Sequence, residues 1–311
     1  MTNQITTECQ QIIAHRHRHF DIVGSTNTQL MTDISTGKLP YTYTLLYTAN
    51  TQNAGRGQHG RTWESGTDNV FLSLYTPITY YSDSIGLDKL SGLLSLLVGL
   101  HLLDIPIIAS LNAKRHAQKQ PTIGIKWAND LGFYDEIAQT FFKLSGILIE
   151  PVFFKLQGQS QLVGVIIGVG MNVKNTPVIK DKLYQAISLH NLSEDTPSAQ
   201  ALYLPITQAI LQAILHHNTL SHTQNTAIIS QFITQFNTHH VLTGQSVQIF
   251  PQNNKEQITH QGKCLGIDLN GALLVQCDKT DTIQAVFAGT AQITPYADKS
   301  STTPPYTDVI T

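Results

Sequence analysis

From Leu162 to Val173 the chain reads almost without interruption as Val, Ile and Gly. Such a run has no polar side to turn toward water, so it fits a strand covered on both faces by packed helices. That stretch therefore belongs in the interior of the fold. A second apolar run, Leu87 to Ile105, contains Leu90, Leu93, Leu94, Leu96, Leu97, Val98 and Leu100, interrupted by Asp88, Lys89, His101 and Asp104. A membrane span needs about 20 predominantly apolar residues, so this run is read as a buried core helix and no membrane segment is expected.

Around these two runs the pattern fills in. Phe20 to Val23, Tyr43 to Thr48, Asn69 to Tyr75, Ile123 to Ala128 and Lys143 to Glu150 read as strands. Thr28 to Ile34, Ser198 to His217 and Thr223 to Phe236 read as helices. After a change of composition at Asn237 to Thr243, short strands are expected at Ser246 to Phe250, Gly262 to Leu265, Ala272 to Gln276 and Thr282 to Phe287. Asp268-Leu269-Asn270-Gly271 is a hairpin signal between two of them. The expected architecture is α/β (α+β): an N-terminal segment (1–14), a mixed sheet with packed helices (15–240), a small β-barrel (241–297) and a disordered Thr/Pro-rich tail (298–311).

A net charge of −2 argues against a chain that coats nucleic acid or an anionic membrane. Cys9, Cys264 and Cys277 have no CxxC spacing, so neither a disulfide framework nor a structural zinc site is expected, and a reducing cytoplasm suits them. No signal peptide is read at the start. The run His15-Arg16-His17-Arg18-His19 has the residues to meet a metal or a phosphate, but it also suits a helix end or strand start, and no Cys or carboxylate pair completes a coordination sphere.

The chemistry-bearing stretch is Gly55-Arg56-Gly57-Gln58-His59-Gly60-Arg61-Thr62-Trp63. Glycines let the backbone approach a ligand, arginines offer a planar fork of donors to carboxylate or phosphate, and Trp offers a stacking face. Gly24-Ser25-Thr26-Asn27 reads equally as a helix cap and as a set of polar groups at a helix N-terminus. Lys126, Lys143 and Asn172 lie in or beside apolar strands. An unpaired buried Lys is costly, so each either snorkels outward or faces an anion. Several together, with the Arg/Gly loop, favour one shared anion site.

The set Ser25-Thr26-Asn27, Gly55 to Trp63, Lys126-Trp127-Ala128-Asn129-Asp130, Lys143 to Leu148 and Gly168-Val169-Gly170-Met171-Asn172 resembles the biotin protein ligases, in that family's order and at similar spacing. Gly266 to Leu274 is similar to the family's terminal barrel. The resemblance implies a class II synthetase-like catalytic domain followed by an SH3-like barrel. It implies a reaction in which biotin attacks the α-phosphate of ATP, giving biotinyl-5′-AMP and pyrophosphate. A lysine of a biotin carboxyl carrier protein then takes the biotin. No side-chain nucleophile is needed, and no Ser/His/Asp or Cys/His set is evident.

The resemblance also implies roles. Lys143 and Arg56 are the candidate catalytic cations. Ser25, Thr26, Asn27, Gln52, Gly55, Arg56, Gly57, Gln58, Lys143, Gly146 and Gly168 would hold biotin, the last two with Gly170 by letting it approach the backbone. Arg56, Gln58, Arg61, Trp63, Lys126, Asn129, Asp130, Lys143 and Asn172 would hold ATP, with Trp63 on adenine and Mg2+ bridging phosphate oxygens. No protein metal ligands are assigned. Trp127 is read as packing. Loop closure would shield the anhydride from water.

Some positions depart from the family pattern. Gln58 and Ala128 stand where Arg and Pro are usual, Gly24 replaces an acidic residue, Leu131 to Phe142 is longer, and Thr290 follows Gly289 with no nearby Arg. The stretch ahead of Ser25 is too short for a helix-turn-helix with its own core, so a monofunctional ligase without specific DNA binding is expected. A homodimer is left open. Two alternatives remain: a lipoate or octanoyl carrier-protein ligase, which the Gly55–Trp63 loop and barrel disfavour, and a non-catalytic biotin-binding regulator, which Arg56, Lys126 and Lys143 together disfavour.

Overall fold

The structure, a computed structural model, describes residues 2–64, 66–78, 92–179, 184–223, 225–251 and 257–294. Helix α1 (Thr2–His15) turns Ile5, Cys9 and Ile12 inward along one stripe. The His/Arg run then starts strand β1 (His17–Val23), where His17 and His19 both meet Thr48 Oγ1. Ser25 caps helix α2 (Thr26–Ser35), its hydroxyl accepting from the Thr28 N–H. Strand β2 (Leu45–Gln52) lies parallel to β1, so α2 is a crossover helix.

Strand β3 (Val70–Pro77) precedes helix α3 (Leu93–Leu103), in which every residue but His101 is buried, and helix α4 (Pro106–Ala117), which buries only Ile108 and Leu111. Strands β4 (Gly124–Lys126), β5 (Asp130–Asp135), β6 (Thr140–Leu156) and β7 (Gln159–Met171) follow as an antiparallel series. The segment Leu131 to Phe142, slightly longer than the family pattern, is mostly this β5–β6 hairpin. Asp135 Oδ1 closes it by accepting from the Ile137 and Ala138 N–H groups, each at 2.9 Å. Strand β8 (Gln185–Ala186) runs parallel to β6, and helices α5 (Leu189–Leu192), α6 (Tyr203–His222) and α7 (Thr226–His239) come next.

The large sheet has the order β1-β2-β3-β7-β6-β5-β4, with β8 also paired to β6. Its central strands are buried on both faces, as the Leu162–Val173 run requires. Val165, Ile167 and Val169 join a core with α1, α3 and α6, while Ile166 joins Leu30 and Ile34 of α2 on the other side. Among the described residues no single helix is long and apolar enough to cross a membrane; α3 and α4 qualify only as a pair bent by 72°.

The expected barrel segment forms a second, antiparallel sheet of order β12-β11-β10-β9-β13, from β9 (Ser246–Phe250), β10 (His260–Ile267), β11 (Leu273–Cys277), β12 (Ile283–Val286) and β13 (Thr290–Ile293). The Asp268–Gly271 turn joins β10 to β11. Asp268 Oδ1 accepts from Asn270 and Ala272 N–H at 2.8 Å, and Gly271 takes φ 77°. The part of the predicted core helix before residue 92 and the tail at 298–311 lie outside the described residues.

Candidate active site

Side-chain parity on β6 and β7 creates the site. Gly146, Leu148 and Glu150 share one face of β6, and Ile166, Gly168 and Gly170 share the matching face of β7; Gly146 pairs with Gly170 and Leu148 with Gly168. Three glycines on one patch leave the sheet bare. A cavity of about 260 Å3 opens over this patch. It is walled by the α2 N-terminus, the Gly55–Trp63 loop, the β4–β5 turn, Tyr184 and the second sheet at Phe287 to Ala291.

At one end the groups are neutral and satisfy one another. Gln52 Oε1 accepts from the Thr26 N–H at 2.7 Å and from its hydroxyl at 3.1 Å. Ser73 Oγ lies 2.7 Å from Thr26 Oγ1 and donates to Asn27 Oδ1. Ser25, Thr26 and Asn27 are all buried. The capping and ligand-binding readings of this motif are therefore compatible, since Ser25 caps α2 while still facing the cavity.

At the other end cations crowd together. Lys143 Nζ is 2.7 Å from Asp130 Oδ1 and lies 5.3 Å and 5.1 Å from the ring centroids of Trp63 and Tyr184. Lys126 is 7% exposed with its ammonium 5.0 Å from the Phe141 ring centroid. Burial lowers its pKa to about 8; Asp130 opposes that shift, while Lys143 and Arg61 reinforce it. Arg61 Nη2 donates to Thr290 Oγ1 at 2.6 Å, tying the glycine loop to the second sheet. Trp127 is buried, borders the cavity and donates from Nε1 to the Gly271 carbonyl at 2.9 Å.

Of the residues singled out in the sequence, Ser25, Thr26, Asn27, Gln52, Arg56, Gly57, Gln58, Arg61, Trp63, Lys126, Asn129, Asp130, Lys143, Gly146 and Gly168 all border this cavity. Gly55 is buried beside it. Asn172 departs from expectation. It does not border the cavity, because its Nδ2 is turned to the Ile187 carbonyl at 3.1 Å and its backbone N–H to Leu144 at 3.0 Å. The room left by the glycines is shared with neighbouring side chains. A Cβ on Gly146 or Gly170 would lie 2.8 or 2.7 Å from the Trp63 ring, and one on Gly168 would collide with Asn27. Trp63 and Asn27 thus pack against the edges of this patch, and the three glycines still border the cavity. Sequence reasoning missed Tyr184, Ser73, Glu150 and residues 287–291. Only Thr290 carried a hint, as a departure from the family's barrel.

Residues 20–172 match the model of the Biotin/lipoate A/B protein ligase family. The biotin--[acetyl-CoA-carboxylase] ligase of Mycobacterium tuberculosis is 31% identical over 185 residues, covering 58% of this chain and 58% of that protein. The bifunctional ligase/repressor BirA of Salmonella typhimurium is 32% identical over 140 residues, covering 44% of this chain and 35% of its own. The matched stretch thus spans little more than half of the first relative and about a third of the second. The solved structure of the biotin protein ligase from Aquifex aeolicus in complex with biotin and ATP shares the fold, with a TM-score of 0.61 at 17% identity over 90% of this chain and 100% of that one. The stretch similar to the biotin/lipoate A/B protein ligase family, residues 20–172, thus makes up just under half of this chain and carries most of the cavity wall.

Proposed function

We propose that the protein activates biotin with ATP to biotinyl-5′-AMP and transfers biotin to a lysine of a biotin carboxyl carrier domain. The observation that supports this most is the gathering of Arg61, Lys126 and Lys143 at one end of a cavity whose other end, beside Arg56, is lined by neutral hydrogen-bonding groups. A carboxylate and a triphosphate repel each other, so fixed positive charge between them is the main catalytic requirement.

Lys143, steadied by Asp130, offers its ammonium to the biotin carboxylate and the α-phosphate together. A carboxylate oxygen forms the new P–O bond as the bond to pyrophosphate breaks, and pyrophosphate leaves with the electron pair. In the second step the neutral amine of the carrier lysine attacks the carboxyl carbon. The C–O bond to AMP breaks, and the amine loses a proton to solvent. Trp63 and Arg61 would face the nucleotide, and Ser25, Thr26, Asn27 and Gln52 the ring end of biotin.

Magnesium would arrive on the triphosphate as part of the substrate. The wall suits that, because Asp130 is the one carboxylate among the described lining residues and phosphate-borne magnesium needs only one or two protein oxygens. Among the described residues no cluster of three or more His, Cys, Asp or Glu could serve as a separate metal site. We also infer a large domain over 15–240 and a second over 241–297, and a cytoplasmic setting, which the three free cysteines suit.

Incubation with biotin, MgATP and a biotin carboxyl carrier domain tests the assignment. The expected result is a carrier mass increase of one biotinyl group. Modification by lipoate or octanoate instead would move the assignment to the other branch of the family. Biotin binding without pyrophosphate release would make the protein a regulator.

A further inference from the structure

Glu150 has no place in the reading above, yet it holds two parts of the site. It lies on the glycine-bearing face of β6 but does not border the cavity. One carboxylate oxygen is ion-paired with Arg56 Nη2, and the other accepts from Asn27 Nδ2 at 3.0 Å. Arg56 Nη1 donates to Thr28 Oγ1 at 3.0 Å. Asn27 is fixed from its other side by Ser73 and sits in the gap that Gly168 leaves.

The glycine loop closes mainly on itself, through Gly57 N–H to the Arg61 carbonyl at 2.7 Å and Trp63 N–H to Gly55 at 3.0 Å. Its two arginine side chains hydrogen-bond to anchors on other elements: Arg56 to Glu150 and Thr28, and Arg61 to Thr290. An arginine on a free loop would lose much rotamer freedom on meeting a ligand. A carboxylate that holds it in place beforehand removes that cost. A negative charge beside an anion site would ordinarily weaken binding; here it is spent on the loop arginine and on an amide. Arg56 is 45% exposed at its side chain and Glu150 14%, so the pair remains sensitive to salt.

We infer that Glu150 is a positioning residue: it fastens the Gly55–Trp63 loop over the neutral end through Arg56 and sets the Asn27 amide through its second oxygen. The inference rests on the proposed biotin chemistry for its consequence, which is retention of the adenylate.

The test compares full-length parent, Glu150→Gln and Glu150→Ala. It measures escape of preformed biotinyl-adenylate, KM for biotin and amide hydrogen exchange over residues 55–63. Glu150→Gln keeps an acceptor for Asn27 but loses the charge. It is expected to speed adenylate escape about tenfold and loop exchange with it, while leaving KM for biotin near the parent value. Glu150→Ala should raise that KM as well. Added salt should speed escape in the parent and much less in Glu150→Gln. Combining Glu150→Gln with Arg56→Ala should add little to either change alone. Parent-like escape and loop exchange in Glu150→Gln would overturn the inference, as would variants that lose only thermal stability. If the parent forms no adenylate, the proposed function fails, and loop exchange alone still decides whether Glu150 is the fastening.

Discussion

The two ends of the cavity are built by opposite means. At the α2 end, Ser25, Thr26 and Asn27 are buried and Gln52 is half-buried; all four are neutral, with Thr26 bonded to Gln52, Ser73 bonded to Thr26 and Asn27, and Ser25 capping α2. At the far end, Lys126, Lys143 and Arg61 stand close enough for their charges to disfavour one another, against a single lining carboxylate, Asp130. A neutral, satisfied end holds a shape and discriminates by fit. An end with more cations than anions is costly to fold and gains most when an anion arrives. The difference locates stability at one end and unspent binding energy at the other.

That contrast can be broken from either side. The largest effect is expected for Lys143→Ala, which should slow pyrophosphate release about 100- to 1000-fold while biotin affinity changes far less. Equal losses in both would mean that the residue only supports the fold. Next, Gly168→Ala drives a methyl into Asn27. Overpacking of this kind costs about 1–3 kcal/mol, and here it should fall on biotin affinity while ATP affinity stays at the parent level. Equilibrium dialysis with each ligand separates the two.

Lys126→Met removes a buried charge. Nucleotide affinity should fall about tenfold, and thermal stability should hold or rise. The sign follows from a native pKa of about 8 set against an ordinary value of 10.5. Between these values the unfolded chain binds more protons, so the burden on stability grows as pH falls from 10.5 to 8 and is constant below. The stability gap between Met variant and parent should therefore close as pH rises through that window, as denaturant titrations would reveal. The smallest effect is expected for Gln58→Arg, which adds a cation to the loop and should slow adenylate escape by a few-fold. An unchanged rate would remove position 58 from the contacts.

Much of this was legible in the sequence because local chemistry carried it. The doubly buried Val/Ile strand, the Ser25 cap, the Asp268–Gly271 hairpin and the glycine loop each follow from short-range rules. Helix α1 was not legible because Ile5, Cys9 and Ile12 make a narrow stripe in an otherwise polar segment. Helix α4 buries only Ile108 and Leu111, and β5 is short and glycine-bearing, so neither shows a clear period. In the site, Glu150 and Tyr184 matter only through partners far along the chain, such as Arg56 and Lys143. Asn172 was misplaced because a buried amide that joins two segments has the same composition as one that meets a ligand. The glycines were read as room for ligand, whereas Trp63 and Asn27 also need that room.

The central claim is that the cationic end stays under-neutralised until an anion enters. Proton uptake on nucleotide binding tests it most directly, by calorimetry at pH 8 in buffers of differing ionisation heat. With Lys126 titrating near 8, the parent should take up as much as about half a proton per ATP bound, and Lys126→Met clearly less. Identical uptake in the two proteins would contradict the account.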